Sequence, residues 1–117
     1  MKKIIYIAHP ISGDIEGNLN KIGEIFRSLS IANEVVPFAP YVAAVACLHD
    51  HIPEERQIGI CQNEALFCRR CFDEVWLYGD RISAGMRAEI DLAIKLGIPV
   101  VAKTPETMVE LQRIYTV

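Results

Sequence analysis

A parallel α/β sheet is the fold class this sequence predicts. Three observations carry the prediction. Short apolar runs such as Ile4–Ala8, Val75–Leu77 and Ile98–Ala102 lack polar alternation, as in strands covered on both faces. Longer segments between them place apolar residues at helical spacing. Turn formers mark the junctions, at Ser12-Gly13-Asp14, Gly79-Asp80 and Gly97. Alternating strands and helices imply right-handed crossovers and a strand order of 2-1-3-4, with a fifth strand as an option.

The elements read in order as follows. Lys3–Ala8 is a first strand, and His9–Gly17 a loop. Asn18 is the expected N-cap of a helix to about Ala32, with Leu19, Ile22, Phe26 and Leu29 as its inward stripe. Glu34–Ala39 is a second strand, closed by Pro37 and Pro40. Residues 41–52 read as a long connection, of the kind that forms lids or interface loops. Pro53 opens a helix to about Cys71. Glu74–Tyr78 is the third strand. A helix capped by Ser83 runs to Leu96 and stops at Gly97. Its expected inward residues are Met86, Ile90, Ala93, Ile94 and Gly97. Asp91 and Lys95 form an i,i+4 pair on the outer side. Ile98–Ala102 is the fourth strand, and Thr104-Pro105-Glu106 opens a last short helix. Arg113–Val117 reads as a short fifth strand or an exchanged tail.

Composition narrows the function classes. The 117 residues suit one domain, and 51% are hydrophobic, enough for a sizeable core. Twelve Lys and Arg against fifteen Asp and Glu give a net charge of −3, which argues against a nucleic-acid polymer as partner. No run approaches the roughly 18 apolar residues of a membrane span, so no membrane partner is expected. The start, Met1-Lys2-Lys3-Ile4, lacks a signal peptide's apolar region, so the expectation is a cytoplasmic protein. Cys47, Cys61, Cys68 and Cys71 do not read as a disulfide scaffold. Ile58, Cys61, Ala65, Cys68 and Phe72 share one helical stripe, so buried core cysteines are the expectation. A zinc site built from Cys47, His49, His51 and the Cys68/Cys71 pair is the alternative; the expectation is no metal and no cofactor.

The order 2-1-3-4 places a switch point between the first and third strands, where ligands bind outside the carboxyl ends. The loops emerging there are His9–Gly17 and Gly79–Ser83. His9, Ser12, Gly13, Asp14, Asp80 and Arg81 are therefore candidate binding residues. Asp80 and Arg81 can pair with each other or with a ligand. Ser83, Gly85 and Met86 begin a helix whose N–H groups suit a phosphate or sugar oxygen. Glu89 lies at the edge of the inward stripe and has no i,i+4 cation, since residue 93 is Ala. Tyr6 lies near the end of the first strand, with its hydroxyl near the crevice.

Three stretches together resemble the nucleoside 2-deoxyribosyltransferase superfamily. They are Tyr6-Ile7-Ala8-His9-Pro10-Ile11-Ser12-Gly13-Asp14, Asp73-Glu74-Val75-Trp76, and Gly79 through Ile90 with its Ser-x-Gly-x-x-x-Glu arrangement. The chain looks closest to a branch of short proteins, phage and prophage members among them. These share a Pro-Glu-Glu-Arg stretch, here Pro53-Glu54-Glu55-Arg56. The resemblance implies a flavodoxin-like fold and N-glycosidic bond chemistry. Glu89 matches a glutamate that attacks the anomeric carbon, Tyr6 a tyrosine that holds it or the sugar, and Ser83 a serine that contacts a 5′-phosphate. It also implies a homo-oligomer, which the apolar Val42–Leu48 would suit. In two places the chain departs from the pattern. The phosphate-hydrolysing branch carries an arginine where this chain has Ser12-Gly13-Asp14; Arg81 and Arg87 are possible substitutes. Many relatives carry an aspartate on the helix before strand three, where Asn63 and Glu64 are the nearby residues. A non-catalytic nucleotide-sensing module on the same crevice is the alternative function.

Overall fold

The structure is a computed structural model and describes residues 1–115. Four strands, β1 (Ile4–Ala8), β2 (Val36–Phe38), β3 (Glu74–Leu77) and β4 (Val100–Ala102), form one sheet in the order β2-β1-β3-β4. Every pairing is parallel; Tyr6 sits opposite Phe38 on one side and Val75 on the other. The helices are α1 (Ile15–Ala32), α2 (Tyr41–Cys47), α3 (Pro53–Cys68), α4 (Ala84–Lys95) and α5 (Pro105–Tyr115). The strand order is the one expected from the sequence, and the arrangement is a flavodoxin-like three-layer fold.

Alternation along β1 sorts its side chains. Tyr6 and Ala8 face one way, into a core cluster with Val75, Leu77, Phe67, Phe72, Met86 and Ile90. That is the face covered by α3 and α4. The rings of Tyr6, Phe67 and Phe72 pack with centroids 4.6–5.0 Å apart, in tilted and edge-on geometries that aromatic quadrupoles favour. Ile5 and Ile7 face the other way and are fully buried, on the side of α1 and its buried Ile22. Helix α5 packs along the β4 edge, and the fully buried Thr107 bonds the Leu77 carbonyl at 3.3 Å.

Several elements differ from the sequence reading, each for a physical reason. Helix α1 starts earlier, because Asp14 caps it by accepting from Gly17 N–H at 3.1 Å. Asn18 is thus inside the helix, buried, with its amide on the Ile11 carbonyl at 2.9 Å. Within the expected α1 stripe, Ile22 is buried but Phe26 is exposed. The connection 41–52 contains a helix, α2. Helix α3 ends at Cys68, where Arg69, Arg70 and Cys71 turn back onto Ala65, Phe67 and Leu66 carbonyls. The expected cysteine stripe is not core: Cys47, Cys61 and Cys68 are exposed and Cys71 is half-buried. The buried residue of α3 is Phe67, so the helix is rotated away from that stripe. Ile94 is likewise exposed, while Met86, Ile90 and Ala93 are buried as expected. Asp91 accepts from the Tyr115 hydroxyl at 2.6 Å in place of an ion pair with Lys95. Arg113–Tyr115 belong to α5, not to a fifth strand; Thr116 and Val117 lie outside the described residues. No helix is long and apolar enough to cross a membrane, among the described residues.

Candidate functional site

The sheet brings the two expected loops together. His9–Asp14 leaves the carboxyl end of β1, and Tyr78–Ser83 leaves that of β3. Between them lies a cleft of about 260 Å³ lined by His9, Ser12, Gly13, Asp14, Asn18, Lys21, Gly79, Asp80 and Arg81. Close approach of the loops requires Gly79. Its φ is +95°, and a Cβ there would lie 2.6 Å from Pro10 Cδ. Arg81 ties the loops by donating to the Ser12 carbonyl at 3.1 Å, and also pairs with Asp80 at 3.1 Å. His9 is buried, with Nδ1 2.7 Å from the Pro10 carbonyl oxygen. A carbonyl only accepts, so Nδ1 carries the proton. Burial lowers the pKa of His9 and keeps the ring neutral at pH 7.

A second cluster lies deeper, on the Tyr6 face of the sheet. The Tyr6 hydroxyl donates to Glu89 Oε2. Asn63 Nδ2, from α3, donates to the Tyr6 hydroxyl at 2.9 Å and to Glu89 Oε2 at 3.3 Å. The orientation of the amide follows from this network, since a carboxylate needs donors. Asn63 Oδ1 is then buried with no partner among the described residues. Tyr41, from α2, packs on Tyr6 with centroids 5.6 Å apart, and its hydroxyl donates to the Ile7 carbonyl at 2.5 Å.

The electrostatics follow from burial. Desolvation pushes the Glu89 carboxyl up to about 7, against the hydrogen bonds from Tyr6 and Asn63, which favour the anion. The Tyr6 phenol is pushed well above its usual value, first by burial and then by Glu89 and Tyr41. Tyr41 is raised in the same way, by burial and then by Glu89. A carboxyl poised near neutrality, held by a phenol and an amide, is an arrangement suited to nucleophilic or acid–base chemistry.

The remaining expected residues fall into place around these two clusters. Ser83 caps α4 by accepting from Met86 N–H at 3.2 Å. Gly85 is exposed at the start of α4. Met86, expected to touch ligand, is instead in the core at 1% exposure, because its position on α4 points at β3. Asp14 caps α1 as well as lining the cleft. Of the pair left open on α3, Asn63 reaches Glu89 and Glu64 is exposed. Tyr41 had no signal in the sequence, since it stood in a stretch read as loop. Among the described residues no three His, Cys, Asp or Glu gather as a metal site.

The chain matches the model of a domain of unknown function (DUF7768) over residues 3–103. It belongs to that family. No curated protein and no solved structure matches the chain. The DUF7768 region takes in Tyr6, Asn63 and Glu89 together with both cleft loops, and leaves α5 outside.

Proposed function

We propose that this protein binds a nucleoside or nucleotide and cleaves or transfers its N-glycosidic bond through Glu89. The observation that supports this most is the Tyr6–Asn63–Glu89 cluster beside the β1/β3 crevice. A glycosidic transition state is oxocarbenium-like, and a carboxylate is the group that stabilises and then captures it. On this reading Glu89 attacks the anomeric carbon as the bond to the base breaks. Water, or a second base, then resolves the glycosyl ester. Tyr6 and Asn63 hold the attacking oxygen, and the buried Asn63 Oδ1 accepts from a ligand hydroxyl or N–H, which relieves an unpaired acceptor. His9, Ser12, Gly13, Asp80 and Arg81 contact the distal part of the ligand, with Ser83 and Gly85 at the helix N-terminus. The resemblance of the Ser83–Glu89 segment to nucleoside 2-deoxyribosyltransferases supports the same reading.

The test is release of free base from nucleosides and their 5′-monophosphates, read by chromatography, for the wild-type chain and for Glu89→Ala and Glu89→Gln. Release by the wild type and its loss in both variants supports the reading; full activity in a folded variant refutes it. One observation favours the alternative, a nucleotide-sensing module. The cleft between the loops does not include Glu89 in its lining. Saturable binding with no base release from any member of the panel would establish that alternative.

We further propose a cytoplasmic homo-oligomer. Ile58 on α3 keeps 47% of its surface exposed, and Cys61, one turn on along the same face, is exposed too. A second copy would cover this apolar surface. Light scattering of the purified chain tests it; a mass of one chain at all concentrations refutes it.

A further inference from the structure

Glycosidic cleavage normally uses two groups, one to attack the anomeric carbon and one to protonate the departing base. Among the described residues Glu89 has two polar contacts, Tyr6 and Asn63, and neither is suited to protonate a base. The Asn63 side chain is an amide; it can donate a hydrogen bond but cannot transfer a proton. The Tyr6 proton is already committed to Glu89 itself, and burial makes that phenol a poor acid. Other candidates are engaged elsewhere or, like Lys21, line the outer cleft, whose lining does not include Glu89. The Tyr41 hydroxyl donates to the Ile7 carbonyl. In the cleft, the one ring proton of neutral His9 is directed at the Pro10 carbonyl, so its other nitrogen is an acceptor. Asp14 caps α1, and Asp80 pairs with Arg81.

A second observation is independent of the first. Among the described residues no lysine, arginine or histidine pairs with Glu89, and none shifts its titration. Within them the carboxylate is desolvated without a counter-cation. Bringing a cation to such a site is favourable, because the low local dielectric strengthens the attraction. The buried Asn63 Oδ1 adds a further acceptor and again no proton.

Resting on the glycosidic reading above, we propose that the preferred substrate class is an N-glycoside whose base carries a formal positive charge. Such a base leaves as a neutral molecule and needs no acid. The electron pair of the C1′–N bond collapses onto the ring nitrogen and cancels its charge. Glu89 Oε forms the new bond to C1′. Water later replaces Glu89 at C1′, retains its oxygen there and releases one proton. The charged base also supplies the cation that Glu89 lacks.

The experiment compares matched glycosides on the wild-type chain, with spontaneous release subtracted. The probes are 7-methylguanosine, guanosine, nicotinamide riboside and uridine, with the 2′-deoxy forms of each. General acids contribute about 10²–10⁴-fold, so kcat/KM for the cationic members should exceed that for the neutral ones by about that factor. An enzyme with a general acid levels the ratio. Neutral glycosides cleaved within tenfold of the cationic ones, with loss of both in Glu89→Gln, would overturn the substrate class and leave the glycosidic reading standing. Release from neither class would overturn both.

Discussion

The sharpest physical consequence of the site is a pH-dependent cost of folding located at Glu89. Desolvation moves its carboxyl from the ordinary 4.5 to about 7 in the folded chain. The unfolded chain releases this proton near the ordinary value. Between the two values the folded state therefore binds more protons than the unfolded state, and stability falls as pH rises. The contribution is fully present below 4.5 and lost above 7. Linkage over pH 5 to 8, at 1.36 kcal/mol for each pKa unit, gives a loss of about 2.5 kcal/mol. His9 and Glu74, both lowered in the folded state, act in the opposite sense, so the wild-type curve alone does not isolate Glu89. The Glu89→Gln variant does, since an amide of the same shape does not titrate. Urea unfolding of both proteins at pH 5 and pH 8, followed by circular dichroism, reads the difference. The wild type should lose about 2.5 kcal/mol more than Glu89→Gln, a midpoint difference of roughly 1–2 M. Parallel pH dependences, or a variant that loses more than the wild type, would refute a desolvated Glu89.

Three further outcomes follow from the same geometry. Tyr6→Phe removes a charge-assisted hydrogen bond of about 1.5–3 kcal/mol, so the acid limb of the pH–kcat/KM profile should move up by about 1–2 pH units; an unmoved limb contradicts the Tyr6–Glu89 bond. Gly79→Ala places a Cβ 2.6 Å from Pro10 Cδ at φ +95°, and should lower stability by about 1–3 kcal/mol; an unchanged thermal midpoint contradicts the close approach of the loops. Arg70 adopts φ +53° at the end of α3, where glycine carries no Cβ penalty, so Arg70→Gly should stabilise by about 0.5–1 kcal/mol and raise the thermal midpoint by a few degrees; a lower midpoint contradicts that turn.

What could be read in advance followed from short-range patterns. Ile4–Ala8 and the run ending at Leu77 are apolar on both faces, as a covered parallel sheet requires, and the observed 2-1-3-4 order is among those that right-handed crossovers allow. Ser83 and Gly97 mark α4 because caps are local chemistry. Helix rotation was less legible. Helix α3 carries apolar residues on several sides, so periodicity favoured the Cys61–Cys68 stripe while tertiary packing chose Phe67 and Asn63. The Asn63–Glu89 bond depends on that rotation and on a separation of 26 residues, so no local signal encodes it. Helix α2 was obscured for a different reason. Pro40 precedes it, no side chain caps it, and its seven residues are shorter than a stable isolated helix. Tyr41, which α2 places against Tyr6, was hidden with it. Asn18 looked like a cap because Asn favours that position, but Asp14 lies at the better distance from the first free N–H.

Covalent trapping tests most directly whether Glu89 itself attacks the sugar. A 2-deoxy-2-fluoro-arabinofuranosyl nucleoside slows resolution of a glycosyl ester and lets it accumulate. Peptide mass spectrometry of the treated chain should then find one glycosyl unit on Glu89, and none in Glu89→Gln. A glycosyl unit on any other residue, or steady base release from a chain that never becomes labelled, would contradict the account.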